Sequence, residues 1–281
     1  MTLIIWILAL CAGLLLLSYS SDWFIGSAET VGVHFNLPGF VIGVVIINIT
    51  NIFLVLGVSA LFASSYTIHH DIFRADIPFF VGSTILLSLM TFDLNFTTAE
   101  AVICLLGLGL YLYHSMTGRS IAEQLQDEED KERLGFKTWL ILILCPIGIT
   151  IGADITVRSV VKISEIIGIG TEIIALTAVA FGTSLPEVMV SIQAARKGKG
   201  EMAVGNVIGS NIFNTFAVMG VSAFFGTLKI TENFPVKILP FFLGSTVMCI
   251  FILQDKKVYR FEGILLLLFY AYFIGTSYGL I

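Results

Sequence analysis

The sequence predicts an all-α membrane protein with about nine transmembrane helices, built from two homologous repeats of which the first is truncated. Three observations support this fold class: the composition, the order of the apolar segments and an internal duplication. The 281 residues are 57% hydrophobic and only 12% charged, whereas soluble domains carry about 25% charged residues. The mean hydropathy of +0.96 is typical of a polytopic membrane protein.

Nine apolar segments are candidate membrane spans, and a polar stretch separates the fourth from the fifth. The segments are 2–18, 39–63, 77–92, 98–115, 138–153, 171–195, 202–225, 236–254 and 261–280. The first one lacks a basic start and a small-residue cleavage site, which predicts a retained span rather than a signal peptide. The polar stretch contains DEEDKE at 127–132, which we interpret as a solvated loop.

An internal duplication relates the segments on either side of the polar stretch. IPFFVGST at 77–84 matches LPFFLGST at 239–246 with an offset of 162 residues, and NITN at 48–51 matches NIFN at 211–214 with an offset of 163. Agreement over so many positions indicates two copies of one unit. The predicted domains are a first repeat at 1–115, an acidic cytoplasmic linker at 116–137 and a second repeat at 138–281.

The first repeat is shorter than the second. Upstream of Asn48 the offset falls to 132, because VIGVVI at 41–46 aligns with IIALTA at 173–178. The difference of 31 residues predicts that the first repeat has no counterpart of residues 180–210. That segment contains the polar motif AFGTSLPEVMVS and the glycine- and asparagine-bearing stretch GEMAVGNVIGS.

The distribution of basic residues predicts the topology. Of the 15 basic residues, 11 lie in four loops that two spans separate from one another, at 64–76, 116–137, 196–200 and 255–260. These loops should therefore be cytoplasmic. A complete repeat would have five spans, and an odd number forces the two copies into opposite orientations. Nine crossings would place the amino terminus in the cytoplasm, whereas a re-entrant first-repeat segment would leave it outside; both alternatives remain open.

Glu187 is the acid that most requires an explanation. A carboxylate in the middle of a bilayer costs several kcal/mol unless it faces a cavity, a cation or a proton. Pro186 precedes it and cannot donate a backbone hydrogen bond, so Pro186 and Gly182 predict a helix break that frees carbonyl oxygens near Ala180. Such oxygens, together with a carboxylate, are ligands that hard cations prefer.

Other oxygen-bearing side chains flank this acid. They are Thr183 and Ser184 on the same span, Asn206, Ser210, Asn211 and Asn214 on the next span, and Asn48 and Asn51 in the first repeat. Ser210 and Asn214 lie four residues apart and share a helix face, as do Thr183 and Glu187. For Asn206 and Asn211 helix packing alone is an alternative role, because small and polar residues often join membrane helices.

The stretch AFGTSLPEVMVS, followed by GEMAVGNVIGSNIFN, resembles the signature repeat of the sodium/calcium exchanger (cation/calcium antiporter) family. The resemblance implies ten spans in two inverted halves, each giving a glutamate-bearing and an asparagine-bearing helix to a four-helix ion site. It implies Ca²⁺ and Na⁺ as transported ions and no cofactor. The implied ligands of this half are Glu187, Thr183, Ser184, Ser210, Asn214 and the carbonyl near Ala180, with Asn51 and less directly Asn48 from the first half. Asparagine at position 214, where potassium-dependent members have aspartate, favours potassium independence.

The missing segment makes this chain depart from the family pattern. A complete site has two carboxylates, whereas here Glu187 is the single acid at that depth, and the attraction of one carboxylate for a divalent ion is worth roughly 8 kcal/mol at about 4 Å and an effective dielectric near 20. Three hypotheses follow. The chain exchanges Ca²⁺ for Na⁺ through the remaining site, with self-association or a partner chain completing it; it is a non-transporting relative or structural subunit; or the 31 residues are absent only from this version of the sequence.

Other classes of function find no support in the sequence. There is no Ser/His/Asp set, no metal-binding cluster of His or Cys, no phosphate-binding loop and no nucleic-acid signature, so neither an enzyme nor a nucleic-acid-binding protein is predicted. The four cysteines all lie in apolar segments. The partners expected are the lipid bilayer and metal cations, and the small size and short loops favour the bacterial cell (inner) membrane.

Overall fold

The computed structural model describes residues 2–27, 40–62, 65–67, 74–117, 136–167, 171–224 and 226–277. In the first repeat the helices are α1 (Thr2–Ser27), α2 (Phe40–Thr50), a π-helical turn π1 (Asn51–Leu56), α3 (Gly57–Phe62), α4 (Asp76–Met90) and α5 (Thr98–Thr117). In the second they are α6 (Phe136–Ile167), α7 (Thr171–Arg196), α8 (Gly200–Phe213), a second π-helical turn π2 (Asn214–Val218), α9 (Met219–Phe224), α10 (Phe234–Lys237), α11 (Leu239–Leu253) and α12 (Arg260–Ser277). The short strands are β1 (Ser65–Thr67), β2 (Asn95–Phe96), β3 (Leu228–Lys229) and β4 (Lys257–Tyr259).

The helical segments agree with the predicted spans in number and order within the described residues, although α1 and α6 extend well beyond the predicted 2–18 and 138–153. Four segments are long and apolar enough to cross a membrane: Val44–Phe62, Thr98–Ser115, Gly200–Phe224 and Phe234–Leu253. The first of these belongs to α2, π1 and α3, which follow one another without interruption and form one continuous helical rod.

Two small antiparallel sheets show that the repeats are inverted. β1 pairs with β4, and β2 pairs with β3. β1 and β3 are equivalent, since each follows the helical segment of its repeat that contains a π-helical turn. The strand that pairs with β3 is β2, and the whole length of helix α4 separates β2 from β1. The equivalent strands therefore lie at opposite ends of the molecule, which is the inverted arrangement that the sequence predicted.

The same sheets test part of the predicted topology. The β1–β4 pair brings the loops after α3 and α11 together. The guanidinium of Arg196, at the end of α7, lies 5.6 Å from the centre of the Phe62 ring at the end of α3. Three of the four loops expected to share a side therefore do so, while most of the fourth, 116–137, lies outside the described residues.

Helix contacts reveal which element α2 replaces. α8 packs against α4, and α2 packs against α11, the repeat equivalent of α4. Likewise π2 and α9 contact α5, while π1 and α3 contact α12. The segment α2 therefore occupies the place equivalent to α8, although its sequence VIGVVI matches the start of α7. The first repeat has no described element equivalent to α7.

Equivalent residues meet at the boundary between the repeats. The hydroxyl oxygens of Thr84 and Thr246, 162 residues apart, lie 3.2 Å from each other and so mark the pseudo-twofold axis. At the helix starts, Glu100 accepts a hydrogen bond from the backbone N–H of Thr97 at 2.6 Å, and the equivalent Glu262 accepts one from Tyr259 at 2.8 Å. Both acids thus cap the first turns of α5 and α12.

A close approach of α3 and α12 gives a test of this packing. A Cβ atom on Gly263 would lie 2.6 Å from the carbonyl oxygen of Gly57 and 2.8 Å from the Cβ of Ala60. Because the neighbour is backbone, we expect Gly263→Ala to destabilise the purified protein by about 1–3 kcal/mol. Gly82→Ala is the control, since nothing lies within 4 Å of a Cβ there, and helix propensity favours alanine by up to ~1 kcal/mol. Thermal unfolding in detergent compares the two; equal midpoints would contradict the packing.

Candidate cation site

Glu187 lies in the middle of α7, and the helix continues through Pro186. The predicted helix break at Pro186 and Gly182 is therefore wrong. Proline removes the one hydrogen bond that residue 186 would donate to the carbonyl of Gly182. Contacts of α7 with α1, α6 and α8 hold the rest of the helix in place. The described side chains of α7 begin at Ser184, so those of Ala180, Gly182 and Thr183 lie outside the described residues.

Four asparagines join the two repeats through a reciprocal network. Asn48 Nδ2 donates to the Asn211 carbonyl at 3.4 Å, and Asn211 Nδ2 donates to the Asn48 carbonyl at 3.2 Å. Asn51 Nδ2 donates to Asn211 Oδ1 at 3.0 Å, and Asn214 Nδ2 donates to Asn48 Oδ1, also at 3.0 Å. The network obeys the repeat symmetry, because Asn48 is equivalent to Asn211 and Asn51 to Asn214.

Each π-helical turn begins at one of these asparagines, π1 at Asn51 and π2 at Asn214. A π-helical turn has wider i→i+5 hydrogen bonding than an α-helix and is frequent at functional sites. Here π1 contacts α8 and π2 contacts α2, so each irregular turn lies against the other repeat and carries one asparagine of the network.

A second set of contacts connects this network with Glu187. Asn206 Nδ2 donates to the Glu187 backbone carbonyl at 3.2 Å and to Ser191 Oγ at 3.0 Å. One turn further along α8, Ser210 Oγ accepts a hydrogen bond from Asn51 Nδ2 at 3.1 Å. The backbone at Glu187 is therefore joined through α8 to the first-repeat rod, which α7 also contacts directly.

Several buried oxygen atoms around this point have no hydrogen-bond partner among the described residues. They are Thr50 Oγ1, Asn51 Oδ1, Ser184 Oγ and Glu187 Oε2. A buried polar atom without a partner costs about 1–3 kcal/mol, more when it is charged, so these oxygens are candidate ligands for a cation. The atoms comprise a carboxylate, an amide and two hydroxyl oxygens, which suit Na⁺ or Ca²⁺.

The first repeat contributes fewer polar side chains to the site than the second repeat does. Ser210 has Ile47 as its equivalent by the offset of 163, and Thr215, which accepts from Asn48 at 3.1 Å, has Ile52. Both equivalents are apolar, so these hydrogen bonds have no symmetric counterpart. Within the described residues there is no group of three His, Cys, Asp or Glu side chains that could hold a metal ion. The site therefore depends on one carboxylate and neutral oxygens.

The structure thus brings together most of the predicted site residues whose side chains it describes. Glu187, Asn206, Ser210, Asn211, Asn214, Asn48 and Asn51 lie on three contacting rods. Ser184 belongs to the same helix as Glu187 and is fully buried. The side-chain Nδ2 groups of Asn48 and Asn211 each donate to the backbone carbonyl of the other residue, so both join the two repeats.

Sequence reasoning missed Thr50, Thr215 and Ser191. Thr50 and Thr215 lie inside or beside the matched motifs NITN and NIFN, and Ser191 lies four residues after Glu187, so helical spacing from the named residues could have found them. The π-helical turns have no comparable signal in the sequence.

The fold and the site define a polytopic membrane protein of two inverted repeats, with buried polar side chains from both repeats at their junction. A family model described as "Sodium/calcium exchanger protein" matches residues 5–48, 47–117 and 137–279. The chain belongs to the sodium/calcium exchanger family, a class of membrane transporters.

Individual relatives agree with this assignment. A membrane protein of Methanocaldococcus jannaschii is 31% identical over 296 residues, covering 94% of this chain and 95% of the relative. The sodium/calcium exchanger MaX1 of Methanosarcina acetivorans is 41% identical over 147 residues, covering 51% of this chain and 42% of that one. A solved structure of the sodium-calcium exchanger NCX_Mj superposes with a TM-score of 0.78 at 28% identity, covering 99% of this chain.

Two of these comparisons bear on the missing segment. The family model matches the first repeat in two pieces that meet at residues 47 and 48, the junction where the sequence places the gap. The alignment with the M. jannaschii protein spans 296 positions but uses 94% of 281 residues, about 264, so some 32 positions fall opposite gaps in this chain. That number agrees with a loss of 31 residues.

Proposed function

We propose that this protein is a cation antiporter of the cell (inner) membrane that exchanges Ca²⁺ for Na⁺ through the site at Glu187. The observation that carries the proposal is the set of buried oxygen atoms that have no hydrogen-bond partner among the described residues, which includes Glu187 Oε2 and Asn51 Oδ1. These atoms come from both repeats, and a transport site lies at such a repeat interface in many secondary transporters. The proposed ligands are Glu187, Ser184, Asn51 and Ser210, with Thr183, Asn214 and the carbonyl of Ala180 completing the set.

The charge of the site favours Na⁺ over Ca²⁺ as the more tightly bound ion. One carboxylate neutralises one Na⁺, whereas Ca²⁺ would keep an excess positive charge in a low-dielectric environment. We therefore expect exchange to be limited by Ca²⁺ binding. A second copy of this chain or another subunit that supplies a carboxylate would relieve that limit.

An alternative is a non-transporting relative or structural subunit. The observation that favours it is the reciprocal asparagine network, which closes the junction between α2 and α8 with all four amide nitrogens in hydrogen bonds. In such a protein the half-site would hold an ion without moving it.

Transport by reconstituted protein separates the two functions. Vesicles containing the purified protein are loaded with Na⁺ and diluted into choline medium with radioactive Ca²⁺; uptake that collapses when Na⁺ is replaced by K⁺ on the inside supports exchange. Uptake no greater than in protein-free vesicles, while the protein still shows Na⁺-dependent thermal stabilisation, would support the non-transporting alternative.

A further inference from the structure

An apolar groove lies between α11 and α12, on the outside of the helix bundle. Its volume is about 520 Å³, within the range of small-molecule sites. The lining residues are Phe53, Pro240, Phe241, Leu243, Gly244, Val247, Met248, Phe269 and Tyr272. All come from the first two thirds of α11 and the second half of α12 except Phe53, which lies in π1 and forms the inner wall. The groove thus runs from the membrane face of the protein to the π-helical turn of the site.

The groove arises where the two repeats differ. In the first repeat Gly107 leaves room for Phe216, whose ring atoms would lie 3.0 Å from a Cβ at that glycine. In the second repeat the equivalent of Gly107 is Phe269, and its ring stacks on Phe53, the equivalent of Phe216, with 5.8 Å between ring centres. The ring of Phe269 keeps Phe53 away from α12. Phe216 fills the space beside α5 in one repeat, whereas its equivalent Phe53 forms the wall of a groove in the other.

We propose that this groove binds one acyl chain of an anionic phospholipid. The segment Phe234–Leu253 that forms one side is apolar and long enough to cross a membrane. Val247, Phe269 and Tyr272 at the edge of the groove are exposed, with 49%, 39% and 54% of their surface accessible. Hydrocarbon is therefore the medium that meets the groove, and its apolar lining gives a polar ligand nothing to bind.

A basic residue close in sequence to the groove lining favours an anionic headgroup. Lys237 ends α10 one turn before Pro240 and is exposed. Four basic residues lie outside the cytoplasmic loops, and two of them, Arg158 and Lys162, are paired with Asp154 and Glu165 on α6. Among the described residues Lys237 has no acidic partner within 4 Å, so its ammonium is available to a lipid phosphate.

The position of Phe53 connects the lipid with the cation site. Phe53 follows Asn51 by two residues in the same π-helical turn. An acyl chain packed on Phe53 restricts the motion of this turn, and the Asn51 side chain moves with the turn. The lipid is thus placed to stabilise the arrangement of the asparagine network, whether or not the protein transports ions.

A groove-filling substitution tests the proposal. Nothing lies within 4 Å of a Cβ at Gly244 or at its repeat equivalent Gly82, so Gly244→Phe fills the groove and Gly82→Phe is the matched control. Native mass spectrometry of protein in detergent counts bound dioleoylphosphatidylglycerol, and thermal unfolding measures its effect. We expect the natural chain and Gly82→Phe to retain one lipid and gain stability from it, and Gly244→Phe to lose both.

The headgroup is tested with Lys237→Gln. We expect this variant to bind dioleoylphosphatidylglycerol and dioleoylphosphatidylcholine equally, whereas the natural chain prefers the anionic lipid. Undiminished binding of phosphatidylglycerol by Gly244→Phe would overturn the groove as the site. Equal preference in the natural chain would overturn the role of Lys237, and binding of oleate alone in place of the phospholipid would overturn the assignment of the ligand.

Discussion

Glu187→Gln is expected to weaken Na⁺ binding strongly. Glutamine keeps the shape and one carbonyl oxygen but removes the only buried carboxylate at the described junction of the repeats. Two unit charges at about 4 Å and an effective dielectric near 20 attract by about 4 kcal/mol. Even after a discount for desolvation, we expect the affinity for Na⁺ to fall by at least about 100-fold, which corresponds to about 2.8 kcal/mol.

Na⁺-dependent stabilisation measures this loss directly. An ion that binds only the folded protein raises its stability by about 2.7 kcal/mol at 100 times its dissociation constant, so the unfolding midpoint of the natural chain should rise with Na⁺ at constant ionic strength. Glu201→Gln removes an exposed acid at the start of α8 and should respond to Na⁺ as the natural chain does. The same response in Glu187→Gln would place the bound ion elsewhere.

Restoring the missing segment is expected to produce strong Ca²⁺ transport. The sequence offsets specify the graft: a copy of residues 180–210 inserted between Ile47 and Asn48. It would add a second carboxylate, whose attraction for Ca²⁺ is about 8 kcal/mol before desolvation. We expect Na⁺-driven Ca²⁺ uptake at least about tenfold above that of the natural chain, because a discounted 1.4 kcal/mol already corresponds to that factor.

The control for this graft is the same insertion with glutamine in place of the inserted copy of Glu187. If carboxylate number limits Ca²⁺ binding, only the graft that carries glutamate gains uptake. Equal gains in Ca²⁺ uptake by both grafts would show that the inserted helical segments matter rather than a second negative charge. Elution as a single symmetrical peak in size-exclusion chromatography establishes that both grafts fold before transport is compared.

The sequence predicted the repeats, their inversion and most of the site because these depend on local and repeated patterns. The matched motifs NITN and NIFN brought Asn48, Asn51, Asn211 and Asn214 to attention, and the structure joins all four. Glu187 stood out because an acid in an apolar run is costly. Whether its oxygens bind the predicted ions stays a prediction.

The sequence did not predict how the chain accommodates the gap. VIGVVI matches the start of α7 residue by residue, yet α2 packs where α8 has its equivalent, because an apolar helix fits either place and the rigid continuation into π1 decides between them. The helix break predicted at Pro186 is absent for a related reason. Proline removes one hydrogen bond, and contacts with three neighbouring helices compensate for the loss. Tertiary packing decided both outcomes, and no local pattern reports it.

The position of α2 separates what the helix bundle needs in order to pack from what the ion site needs in order to bind. The pseudo-twofold axis, both terminal sheets and the π-helical turns persist without the hairpin that holds one glutamate. The bundle therefore accommodates the absence of that hairpin, and the absence alters the ion site. We therefore expect variants of this region to alter the ion site while the scaffold remains intact.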